Sequence, residues 1–153
     1  MSLCTVSLQM IGSVEPLEAF TVLLEGLSYS LRRKGERIDG SRRVQEGNVL
    51  VVDLAEWEER SGSYDGDDRD AILANEQAQI AAMTATLQRL APALSTLDRS
   101  EISAALWIST IREEEQGGFA LPPELVAAAA AAGLWVEVSI LVLFGPDEAI
   151  AGR

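Results

Sequence analysis

Six of the chain's twelve basic residues fall in one short run: Arg32, Arg33, Lys34, Arg37, Arg42 and Arg43. A guanidinium presents a planar fork of donors that matches carboxylate and phosphate oxygens. Gly35 and Gly40 lie inside the run and give its backbone the freedom to wrap an anion. These six residues are therefore a candidate ligand-binding loop for a phosphate, a carboxylate or an acidic surface. Glu36, Asp39 and Glu46 are interleaved with them and weaken the field, as in a loop that is merely solvated.

The opposite charge collects in the next stretch, in Asp53, Glu56, Glu58, Glu59, Asp65, Asp67, Asp68 and Asp70, with Trp57 among them. An aromatic anchor ringed by carboxylates suits a surface that takes a basic protein. Trp57, Glu58, Glu59, Asp65, Asp67 and Asp68 are the candidate partner-binding set. The competing reading is that Trp57 folds back on the core and that Asp67 to Asp70 favour the start of a helix. A calcium loop from Asp65 to Glu76 fits poorly. Arg69 takes the fifth position, where an oxygen ligand is needed, and Asp70 replaces the sixth-position glycine. No metal and no cofactor is expected.

The chain has no histidine. That removes the commonest general base, the Ser-His-Asp and Cys-His arrangements and most zinc sites. Cys4 shares an apolar strand face with Val6 and Leu8, so a buried structural thiol is expected rather than a nucleophile. No catalytic residue is assigned, and the reading is of a protein that is not an enzyme. A net charge of −12 argues against nucleic acid or an anionic membrane as partner and permits a basic protein. No apolar run reaches the length of a membrane span, and the start lacks the form of a signal peptide, so a cytoplasmic protein is expected.

The elements that must position these residues follow from periodicity. Residues 3–11 alternate as a strand, with Cys4, Val6, Leu8 and Met10 on one side. A helix over 16–27, opened by Pro16, places Leu17, Phe20, Leu24 and Leu27 at helical spacing. A short strand over 27–31 and a polar loop or frayed hairpin over 32–48 come next. Residues 49–54 read as a third strand, central in the sheet or covered on both faces, and 55–69 as an acidic connection. A helix over 70–97 carries Ile72, Ile80, Met83, Leu87, Leu90, Leu94 and Leu97 in one stripe, with Glu76 its single polar break; Pro92 should kink or divide it. Residues 103–111 form a fourth strand.

The last unit is the most distinct. Pro122, Pro123 and Glu124 suit a helix start, Ala127 to Ala132 form its body, and Gly133 is placed to end it. So few side-chain atoms predict a helix packed close against a sheet. An alternating strand follows, with Val136, Val138 and Ile140 on one face and Trp135, Glu137, Ser139 and Leu141 on the other. If the sheet face opposite the helices is open, Trp107, Trp135, Leu141 and Leu143 form an apolar patch there, open to a partner or to a second copy in a homodimer.

At 153 residues the chain reads as one α+β domain, 1–153, in the order β-α-β-β-α-β-α-β. The first six elements follow a ferredoxin-like, split βαβ plan. The C-terminal α-β unit extends a mostly antiparallel sheet with helices on one face. The chain also resembles the bacterial domain-of-unknown-function 4279 family. The resembling residues are Arg33-Lys34-Gly35-Glu36, the Leu87-Gln88-Arg89-Leu90-Ala91-Pro92 run, and Gly118 to Leu125 followed by Ala132-Gly133-Leu134 and the last strand. The resemblance implies a fold and no established activity. Such small cytoplasmic families often resemble immunity proteins. The function expected is a non-enzymatic, protein-binding module, immunity-like in form. The alternative is a sensing domain that holds a small anion in the Arg-rich loop.

Overall fold

The computed structural model describes residues 2–59, 66–112 and 120–143. Strand β1 (Ser2–Gly12) keeps the alternation of its sequence: Cys4, Val6, Leu8 and Met10 are buried, while Thr5, Ser7 and Gln9 on the other face are half-buried. Helix α1 (Val14–Thr21) begins two residues before Pro16 and runs on as a 3₁₀ turn over Val22–Leu24. Pro16 fits inside its first turn because the first four N–H groups of a helix have no intrahelical partner. Leu17, Phe20 and Leu24 are its buried face.

Strand β2 (Tyr29–Arg32) precedes β3 (Asn48–Glu59). The long helix α2 (Gly66–Ser95), strand β4 (Ile102–Arg112), helix α3 (Pro123–Ala131) and strand β5 (Trp135–Val142) complete the described elements. The sheet order is β2-β3-β1-β4-β5. β1 runs antiparallel to both β3 and β4, β2 antiparallel to β3, and β5 parallel to β4. The architecture is α+β with a mixed five-stranded sheet. Apolar residues of all three helices pack on the sheet face that carries Leu8 and Val6.

Strand β3 corrects one expectation and decides between two alternatives for another. It continues five residues past Leu54, so part of the expected acidic connection is strand. A β-bulge lies where the pairing with β1 passes from Val6–Ala55 to Ser7–Asp53. Leu54 is the extra residue, and the alternation changes phase across it. Leu50 and Val52 face the core before the bulge; Trp57 faces it after. Of the two alternatives for its place, β3 is interior to the sheet, between β2 and β1, and is not covered on both faces. Val49 and Val51 are only half-buried and Asp53 is exposed.

Helix α2 begins four residues earlier than its apolar stripe suggests and passes through Pro92 without dividing. Pro92 lies three residues from the helix end, where the missing N–H removes one bond of the last turn. Met83, Leu87, Leu90 and Leu94 are its buried face. In α3 the alanines press on the core as their size predicts: Ala128, Ala129 and Ala132 are buried. Gly133 ends the helix at φ 66°, in the left-handed region that favours glycine.

Arg99 joins the ends of two helices. Its Nη2 donates to Leu94 O at 3.0 Å, in the last turn of α2, and to Ala132 O at 2.9 Å, just after α3. Both carbonyls belong to helix C-termini, where acceptors lack intrahelical donors and positive charge is favoured. Arg99→Ala should therefore destabilise the fold by about 1–3 kcal/mol, the scale of hydrogen bonds to a charged group. Thermal unfolding measures this. A loss below about 0.5 kcal/mol would mean that water serves these carbonyls equally well.

Candidate functional site

The basic run forms a hairpin. Gly35 N–H donates to Gln45 O at 3.0 Å, Gln45 N–H to Glu36 O at 2.8 Å and Ile38 N–H to Arg43 O at 3.1 Å. Arg37 and Val44 form an isolated antiparallel bridge. Gly35 and Gly40 take positive φ, 90° and 71°, at its bends. All six basic side chains are exposed, but they do not converge. Arg33 Nη2 and Nε both donate to Glu18 Oε1, at 2.7 and 3.2 Å, and its Nη1 lies 3.8 Å from Glu36. The Glu18 hydrogen bond, and then its charge, raise the Arg33 pKa. Arg32 and Arg37 line a shallow hollow of about 320 Å³ that also takes in Glu36 and Asp39. Lys34, Arg42 and Arg43 lie outside that hollow. An anion there would meet two carboxylates.

The acidic candidates separate. Trp57 is 8% exposed and belongs to the core. It is not the exposed anchor expected, because the bulge at Leu54 turns it inward. Glu58 is exposed on β3, and Glu59 ends that strand. Asp67 and Asp68 lie in the first turn of α2. Asp65 falls outside the described residues. The segment from Gly66 to Glu76 is helical, so it has no calcium-loop backbone.

A different set of residues comes together on the sheet face away from the helices. No described helix packs on that face. The ladder registers arrange its side chains in rows across β3, β1, β4 and β5. One row is Asp53, Ser7, Trp107 and Glu137; the next are Glu56, Thr5, Ser109 and Ser139, then Glu58, Leu3, Ile111 and Leu141. On the other side of the Trp107 row stands Val51, Gln9, Ala105 and Trp135. Trp135 is 75% exposed, and Leu141 and Leu143 are exposed as well. Trp107 is half-buried. Asp53, Glu56, Glu58 and Glu137 are exposed carboxylates around this apolar strip. Strands stand roughly 4.8 Å apart, which puts the β3 carboxylates about 10 Å from the Trp107 strand.

β5 adds to the patch. Among the described residues it is an edge strand, so one row of its N–H and C=O groups has no strand partner there. On its helix side Val136, Val138 and Ile140 are also exposed. It carries no lysine or proline, the residues that commonly blunt an edge. Sequence reading found Trp107, Trp135, Leu141 and Leu143. It missed that Asp53 and Glu56 share this face: Asp53 alternates with the buried Val52, but only the bulged register puts Glu56 on the same side. The break in alternation at Asp53-Leu54 was the available signal. A scan of protein-family models finds no match to this chain, and searches of curated proteins and of solved structures find none either.

Proposed function

We propose that the chain is a non-enzymatic binding module whose open sheet face takes a basic protein. The observation that carries this reading is Trp135, three-quarters exposed, in a face where Trp107, Ile111 and Leu141 are bordered by Asp53, Glu56, Glu58 and Glu137. Aromatic side chains supply most of the energy of such contacts, and the carboxylates select a cationic partner and steer its approach. An immunity-like inhibitor is one form of this function. A second copy of the chain is the competing occupant. It would have to bring together two molecules of net charge −12. The anion-sensing alternative has less support, since Arg33 is engaged by Glu18 and acids share the Arg32–Arg37 hollow.

We also read β1 to β4 as a ferredoxin-like, split βαβ core extended by α3 and β5. Its support is that β1 lies between β3 and β4, antiparallel to both, while β2 pairs with β3. The resemblance to the domain-of-unknown-function 4279 family stays a proposal of the same kind. Its motif residues Pro122 to Leu125 open α3 and Ala132 to Leu134 close it.

The test is affinity capture from lysate of the source organism with the wild type and with Trp135→Ser/Leu141→Ser. A stoichiometric basic protein should bind the wild type at low salt and leave at high salt. Loss of a tryptophan anchor worth 2 kcal/mol or more should weaken its Kd about 30-fold. The unfolding midpoint should hardly change, because exposed substitutions cost within about 0.5 kcal/mol. Equal capture by the double variant would rule out this face. Recovery of the chain alone, with self-association abolished in the double variant, would favour the homodimer.

A further inference from the structure

A small, partly open pocket lies between the sheet and α2. Cys4, Trp57, Glu76, Met83, Ile108 and Leu125 contribute to its wall. The space open to a water's centre is about 20 Å³, room for roughly one molecule. Trp57 Nε1 is buried, and no acceptor among the described residues reaches it. An indole N–H can only donate, and buried donors in native proteins are almost always partnered.

Glu76, half-buried, lines the same space. It precedes Ile80 by one helical turn and Met83 by two, on the core-facing stripe of α2, where the neighbouring positions are apolar. The rest of the wall is largely aliphatic. Charge selects the occupant. A second anion is repelled by Glu76, and a metal cation cannot accept from the indole. A neutral group of water size that accepts and donates satisfies both ends. We infer that this cavity is a binding site for one buried water, which accepts from Trp57 Nε1–H and donates to the Glu76 carboxylate. That water ties β3 to α2 and accounts for the polar break in the helix stripe.

The test is nuclear magnetic resonance of the wild-type protein, with the Trp57 indole signal assigned by its loss in Trp57→Phe. The signal should show a dipolar cross-peak to water with the sign of a long-lived bound molecule. Glu76→Gln keeps an acceptor and should retain the cross-peak. Glu76→Leu fills the space with apolar atoms and should lose it. Absence of the cross-peak in the wild type overturns the proposal, as does its persistence in Glu76→Leu. The wild-type measurement decides alone if Glu76→Leu does not fold.

Discussion

Leu8→Ala should cost about 3 kcal/mol of stability, the middle of the range for emptying a buried leucine site. Leu8 is fully buried on β1, the central strand. It pairs with Val52 of β3 on one side and Leu106 of β4 on the other. Its cluster also holds Leu17 and Phe20 of α1 and Leu90 and Leu94 of α2. The hole would open where helices and strands meet. For a chain of this size the loss corresponds to a fall of roughly 6–12 °C in Tm. Ser7→Ala, one residue away on the open face, should change stability by less than about 0.5 kcal/mol. A near-equal cost for the two would contradict the burial of one face of β1.

Gly12→Ala should be nearly as damaging, for a different reason. A Cβ on Gly12 would overlap the Glu101 carbonyl oxygen and lie 3.0 Å from Ile102 Cα. Both are backbone atoms and cannot rotate away. The segment is held in turn by Glu101 N–H and Ile102 N–H, which donate to Asp98 O at 3.0 and 2.9 Å. Asn48 Nδ2 donates to Gly12 O at 3.0 Å and holds the other side. Relief requires the end of β1 to part from the start of β4, at a cost of about 2–3 kcal/mol. Gly26 is the useful contrast. Its φ is +81° with nothing within 4 Å of an added Cβ. Gly26→Ala therefore meets only the backbone penalty of about 1–2 kcal/mol. Urea unfolding of both variants measures the difference. If Gly12→Ala proved the milder, the close approach of β1 to Glu101 would be wrong.

The two functional proposals are independent. The binding reading rests on the open face and Trp135; the buried water rests on Trp57 beneath the opposite face. Loss of partner capture in Trp135→Ser/Leu141→Ser would leave the Trp57 indole signal unchanged. On the open face the polar and aromatic groups of the described residues are spread in rows across four strands.

Some of this was legible in the sequence because it is local. Period-two alternation marked β1 and β5, a three-to-four spacing marked the apolar stripe of α2, and Pro122, Pro123 and Gly133 bounded α3 through their backbone chemistry. The positions of Trp107 and Trp135 on strands came from the same rule. The tertiary structure decided what depends on pairs of segments. The bulge opposite Val6 and Ser7 sent Trp57 into the core and Glu56 to the open face beside Asp53, since one extra residue reverses the faces of everything after it. Charge counting could group Arg32 to Arg43, but only the hairpin showed Arg33 held by Glu18, fifteen residues away. Composition and period are properties of one segment; register, and therefore which side chains share a face, is a property of two.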